Sequence, residues 1–200
     1  MGKIIHGNKN FGFAPIVDNE GVKSFGVPQL IPGLVSATVE VDQENTNIYA
    51  DDDVYCVTKG AKIRTATASF RYIPAAYLPY LGFKQADNGG FSDTGLFANH
   101  AIFFETGGED CDTGVTAKKL HFLYNVKASE PNVESQTDEE DVEAQELEVS
   151  YNAQTSDFVR DIDGEGVQYF FIERTDENAS LYDSFVNAII MPTSEVPGSF

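Results

Sequence analysis

A chain of 200 residues with 32 acidic and 13 basic side chains carries a formal charge of −19. That charge excludes a broad grip on nucleic acid, because phosphate binding needs Lys and Arg to displace condensed counterions, and it disfavours anionic membrane surfaces. A hydrophobic content of 42%, with 15 Phe, 9 Tyr and no Trp, is enough for one domain to build its own core and suits pleated surfaces better than helices.

Phe11 to Val17 reads as a strand, turned at Asp18-Asn19-Glu20-Gly21. The turn Ile31-Pro32-Gly33 opens a clearer one, in which Val35, Ala37, Val39 and Val41 alternate with Ser36, Thr38, Glu40 and Asp42. From Gln43 to Asp53 the chain is polar and is expected to be a loop longer than the ~2–5 residues of an ordinary hairpin connection. Ala61 to Tyr72 is a strand with small and polar residues on both faces (Thr65, Thr67 and Ser69 among them), so neither face is expected in the deep core. One of them is expected to line a wet surface or an interface.

Pro74 to Gly82 predicts one or two helical turns, with Pro79 keeping them short and Gly82 as the stop. A turn-rich loop follows over Asp87 to Gly95. His100 to Glu105 predicts a strand buried on both sides, and Gly107 to Gly114 a turn. Leu120, Phe122, Tyr124 and Val126 alternate with Lys119, His121, Asn125 and Lys127, with Leu123 interrupting the polar row. Glu130 to Glu148 contains no basic residue. Leu147, Val149, Tyr151 and Ala153 then alternate with Glu146, Glu148, Ser150 and Asn152. Asp163-Gly164-Glu165-Gly166 is a turn leading into a last strand, Val167 to Glu173. Leu181, Phe185 and Ile189 lie four apart on a helix expected from about Ala179 to Ile190, and Thr193 to Phe200 is expected to be an arm.

Chemistry-bearing patterns are sparse. Cys56 and Cys111 match no metal or redox spacing and are expected as unpaired thiols in a reducing compartment. His6, His100 and His121 form no ligand spacing, and His121 is expected to be solvated or at an interface. Asp51-Asp52-Asp53 lacks the ligand order and glycine of a calcium loop. Gly164 and Gly166 sit among acids that would repel phosphate. No catalytic, cofactor-binding or metal residue is assigned. Met1 to Phe13 shows no signal-peptide pattern, and no apolar run approaches the ~20 residues of a membrane span.

Several segments in order resemble a known family. They are Leu30-Ile31-Pro32-Gly33-Leu34-Val35-Ser36, Asp42-Gln43-Glu44 leading to Tyr49-Ala50-Asp51-Asp52, and Ile73-Pro74 with Leu78, Leu81 and Gly82. Leu123-Tyr124-Asn125-Val126-Lys127-Ala128, Thr137-Asp138-Glu139-Glu140 and the strand entry from Glu143 to Leu147 complete the set. Over residues 25–190 the chain resembles the major tail proteins, or tail tube proteins, of long non-contractile-tailed (siphovirus-type) phages of Gram-positive bacteria. It departs from them in the extra acid over Asp138 to Asp141.

The resemblance implies a mainly β fold: a β-sandwich with a flanking helix, a long inter-subunit loop and terminal arms, and no enzyme activity or cofactor. One domain over 1–200 is expected, with its core at 11–190, arms at 1–10 and 193–200 and an assembly loop at 43–58. The residues expected to reach a neighbour are Gln43, Glu44, Asn45, Thr46, Asn47, Ile48, Tyr49, Asp51, Asp52 and Asp53. Those expected on a lumen or acidic surface are Glu134, Asp138, Glu139, Glu140, Asp141, Glu143, Glu146 and Glu148. Implied partners are sister copies in hexameric, stacked rings and the tape measure, tail terminator and distal tail proteins. DNA would pass without specific binding and no membrane is involved, the place of action being the virion tail after assembly in the host cytoplasm. Two other classes fit the composition less well: an acidic DNA-mimic inhibitor of a nucleic-acid-binding protein, and a carbohydrate-binding β-sandwich, which the missing Trp disfavours.

Overall fold

The computed structural model describes residues 3–50, 53–111, 114, 116–132 and 145–193. Its first strands are β1 (Lys3–Asn19), β2 (Val22–Phe25), β3 (Gln29–Leu30), β4 (Leu34–Asp42), β5 (Asn45–Ala50), β6 (Asp53–Lys59) and β7 (Ile63–Phe70). After a 3-10 helix at Ala75–Leu81 come β8 (Phe83–Gln85), β9 (Phe91–Asp93), β10 (His100–Asp110), β11 (Thr116–Ala128), β12 (Leu147–Ala153) and β13 (Tyr169–Glu173). A short helix, α1 (Ala179–Asp183), runs into a 3-10 turn at Ser184–Val186. The expected mainly β sandwich with a flanking helical segment is the fold observed.

One antiparallel sheet carries the architecture, in the order β2-β1-β10-β11-β12-β7-β4, with β13 added on β11 and β3 on β1. It rolls back on itself, so that rings from opposite ends of that path meet. Phe11 of β1 packs edge-on against Phe70 of β7 at 4.9 Å. This inner core also takes Phe13, Ile102, Phe104, Leu123, Val126, Val149 and Tyr151. On the outer face of β1, β10 and β11 lies a second core, in which Phe103, Leu120, Phe122 and Tyr124 are covered by Val159, Tyr182, Phe185 and Ile189. The strand at His100 to Glu105 is thus buried on both sides, as its unbroken apolar run requires.

β12 follows its alternation, with Val149 and Tyr151 buried and Glu148, Ser150 and Asn152 outside. Two other strands change face at bulges. A bulge lies between Leu34 and Ser36 of β4, so Leu34, Ala37 and Val39 reach the core while Val35 and Val41 stay exposed. In β11 an irregularity falls where His100 opposes Val126 and Ile102 opposes Leu123. Tyr124 therefore lies in the outer core and Val126 in the inner one, although simple alternation puts them on one face.

Five further expectations are corrected. β7 is deep core after all, because it runs between β12 and β4, and Ala66, Ala68 and Phe70 are almost wholly buried. Its alanines leave the volume that the surrounding aromatic rings occupy. Residues 3–10 belong to β1 and pair with β10 from Lys3↔Asp110 onward, rather than forming an arm. Positive φ at Gly7 and Asn10 marks the irregularities that hide the strand's alternation. Gly107 and Gly108 continue β10, so the turn into β11 lies beyond Asp110. Asp87 to Gly95 includes β9, paired with β8, rather than loop alone. The helix after Ala179 is one short α segment plus a 3-10 turn, with Tyr182, Phe185 and Ile189 buried. The expected helical turns before Gly82 are present, and Gly82 ends them at φ 92°. Of the expected C-terminal arm only Thr193 lies within the described residues.

Candidate assembly surfaces

The stretch expected to be a long loop is instead a hairpin. Six residues of β5 pair with β6 from Asn45↔Lys59 to Ala50↔Asp53, forming a separate two-stranded sheet. Gln43 and Glu44 form its base: Gly60 N–H donates to the Glu44 carbonyl at 2.7 Å, and the Gln43 amide donates to the Gly60 carbonyl at 3.0 Å. Every described residue of the hairpin is exposed, including Tyr55 at 78% and Tyr49 at 66% of full accessibility. Ile48, Val54 and Val57 are exposed beside them, as is the free thiol of Cys56. A lone two-stranded hairpin is marginal in water, and this one presents apolar side chains that nothing among the described residues covers. Sequence reading missed the strands because both faces are bare, which leaves no alternation to see.

The acidic candidates divide. Glu134, Asp138, Glu139, Glu140, Asp141 and Glu143 lie outside the described residues, as do Asp51 and Asp52. Asp53 is described, and its carboxylate accepts the N–H of Val54 at 2.7 Å. Glu146 meets Arg71 at 3.2 Å. Glu148 stands on the outer face of the rolled sheet, in a row with Ser69 and Ser36. Parallel rows set Ser150 beside Thr67 and Thr38, and Asn152 beside Thr65 and Glu40. The result is a pleated face of hydroxyls with scattered carboxylates, legible in the sequence as the polar rows of β4, β7 and β12.

His6 is exposed, whereas His100 and His121 are packing elements. His100 is fully buried, with Nδ1 2.9 Å from the Ala98 carbonyl and Nε2 2.8 Å from the Tyr77 hydroxyl, which lies 3.3 Å from that of Tyr151. His121 is not solvated as expected. It stacks on Phe104 at 4.8 Å and lies between the hydroxyls of Thr106 (2.9 Å) and Tyr169 (2.7 Å). Burial lowers both imidazole pKa values to about 4, helped at His121 by the charge of Lys119. Both rings are therefore neutral in the native state, whereas the unfolded chain protonates them near pH 6.5. Stability is thus full above pH 6.5 and falls as pH drops toward 4. Urea midpoints should decline from pH 7 to pH 5, by about 2 kcal/mol from His100 and less from the more exposed His121. A midpoint unchanged across that interval would contradict the neutral-core assignment.

Two open depressions flank the sheet. One is an apolar groove of about 380 Å³ between Phe25, Val27, Phe158 and Ile189. The other is a polar cleft of about 510 Å³ that contains Lys62, Arg64 and Tyr169. Asp163 to Gly166 is a tight turn, as expected: the Asp161 carboxylate accepts the N–H groups of Asp163 and Glu165, and Arg160 bridges to Gly166. Among the described residues no helix is long and apolar enough to cross a membrane.

No curated protein matches the chain. A family model described as phage tail tube protein matches it over residues 2–198. With nearly its whole length matched and a mainly β sandwich for a fold, the chain belongs to the phage tail tube protein family, a structural component of the virion tail.

Proposed function

We propose that the protein is the repeating subunit of the tube itself. Copies join into rings, by family resemblance hexameric, and the rings stack into a hollow conduit through which DNA passes without specific recognition. The subunit performs no catalysis and meets the tape measure, terminator and distal tail proteins at the ends of the tube. The observation that carries this reading is the β5–β6 hairpin, with its exposed Ile48, Tyr49, Val54, Tyr55 and Val57. Exposed apolar surface of that kind marks an interface, and a projecting arm that enters a different patch on the next copy gives the head-to-tail contact from which rings and filaments grow.

The wall of the conduit is assigned to the hydroxyl and carboxylate face of β4, β7 and β12. A lining with Glu40 and Glu148 and few cations repels phosphate within a Debye length of ~8 Å, so DNA slides rather than sticks. Sedimentation of the purified chain at rising concentration, beside negative-stain microscopy, tests the reading. Hollow rods are expected. A chain that stays monomeric at high concentration, even with preassembled tail tips as templates, would refute it.

A further inference from the structure

The 3-10 helix at Ala75–Leu81 and the β8–β9 pair form a unit apart from the rolled sheet. β8 and β9 pair with each other as a separate two-stranded sheet. Tyr77 N–H donates to the Pro74 carbonyl at 2.9 Å, and Thr94 N–H closes the unit on the Gly82 carbonyl, also at 2.9 Å. The unit rests on the inner core through its rings. Tyr77 and Tyr80 lie 4.7 and 4.9 Å from Phe13, and Tyr77 and Leu81 are almost wholly buried. Among the described residues, its hydrogen bonds to the rest of the chain are those of the Tyr77 hydroxyl, to His100 at 2.8 Å and Tyr151 at 3.3 Å.

Those contacts have a direction that the backbone sets. His100 Nδ1 lies 2.9 Å from the Ala98 carbonyl, which can only accept, so the neutral ring carries its proton on Nδ1. Nε2 then accepts the single Tyr77 proton, and the Tyr77 oxygen is left to accept from Tyr151. A proton on Nε2 reverses the chain. Both ring nitrogens then donate, Tyr77 turns its proton to Tyr151, and the Tyr151 proton loses its acceptor. Tyr151 is fully buried, and its hydroxyl meets no other hydrogen-bond partner among the described residues. A buried donor stranded in this way is destabilising.

The neighbours of the ring offer nothing to receive the added charge. Tyr77 and Tyr80 face it from the helix and Tyr151 from β12. Burial raises the pKa of all three phenols and holds them protonated. Phe13 and Pro15 stand beside His100 on β1, and Val126 opposes it on β11. No carboxylate is among these neighbours.

We propose that residues 75–94 are a lid over the inner core, latched by neutral His100 and released when that ring is protonated. The latch belongs to the single chain and does not depend on the tail-tube reading. Burial lowers the His100 pKa to about 4, with the Ala98 carbonyl opposing, whereas a ring uncovered by the open lid titrates near pH 6.5. The closed lid is therefore fully stable above pH 6.5 and weakens as pH falls toward 4.

Amide hydrogen exchange of the dilute chain tests the latch. Protection of the Tyr77, Gly82 and Thr94 amides should lie below that of the central strands β10 and β11 at pH 7, because the lid opens by itself. After correction for intrinsic exchange, it should fall by about 20-fold between pH 7 and pH 5. His100→Gln keeps an acceptor for Tyr77 but cannot titrate, so its lid should hold its protection at pH 5. Lid amides as well protected as the central strands would overturn the independent lid. A fall that persists in a folded His100→Gln variant would overturn the latch. Should that variant fail to fold, ring-nitrogen NMR of the parent decides. A neutral ring at pH 5 with its proton on Nδ1 is expected, and a proton on Nε2 or a charged ring contradicts the proposal.

Discussion

Replacing Asn45–Lys59 with an Asn-Gly turn should yield a folded monomer that forms no rods at any concentration. The junction is already closed in the native chain, because the Glu44 carbonyl accepts the Gly60 N–H at 2.7 Å. The excised strands form a sheet of their own and add nothing to either buried core. A two-residue type I′ turn supplies the positive φ angles that closure needs. Thermal or urea unfolding should therefore shift by no more than about 1 kcal/mol, while the rods disappear from micrographs. Loss of folding would mean that the hairpin supports the core from within. Rods of normal calibre would mean that assembly proceeds through other surfaces.

Phe122→Ala should produce the largest loss of stability, about 3–5 kcal/mol, read as a lowered urea midpoint. Phe122 is fully buried in the outer core, with Phe103, Tyr124 and Phe170 at centroid distances of 6.0, 6.2 and 6.4 Å. It lies on the central strand of the sheet, where backbone on both edges is fixed and the void cannot collapse. Alternation alone gives Leu147 the same weight. In the structure Leu147 is only partly buried at the start of β12, so Leu147→Ala should cost clearly less. Equal losses for the two substitutions would contradict the placement of the outer core.

Where a strand buries one face without interruption, the sequence is a direct record of the fold. β12 is such a case, because Val149 and Tyr151 face a core while Glu148 and Ser150 face water. β11 is harder to read because both of its faces are covered and a bulge moves Val126 to the other side. Leu123, which breaks the polar row, was the one visible sign of the double burial. β7 misleads for the opposite reason. Alanine is too small to announce a core, and Ala66 and Ala68 are buried only because rings from distant strands close over them. The hairpin could be located by its polar composition but not recognised as strands. With both faces exposed, Ile48, Val54 and Val57 obey no pattern that a folded monomer imposes. The cleft at Arg64 was invisible, since Tyr169 lies more than a hundred positions away and the two meet only after the sheet forms. Of the acidic candidates, Glu148 is placed by β12 and Glu146 immediately precedes it, and the others fall outside the described residues.

Maleimide labelling of Cys56 in a Cys111→Ser background reports directly on the covering of the hairpin by a sister copy. Cys56 is free and exposed in the isolated chain, opposite Ile48 in the hairpin. Labelling should be fast in dilute monomer and strongly retarded in assembled rods, with protection lost again on disassembly. A thiol that reacts in rods as quickly as in monomer would show the hairpin bare in the tube, and the account would fail.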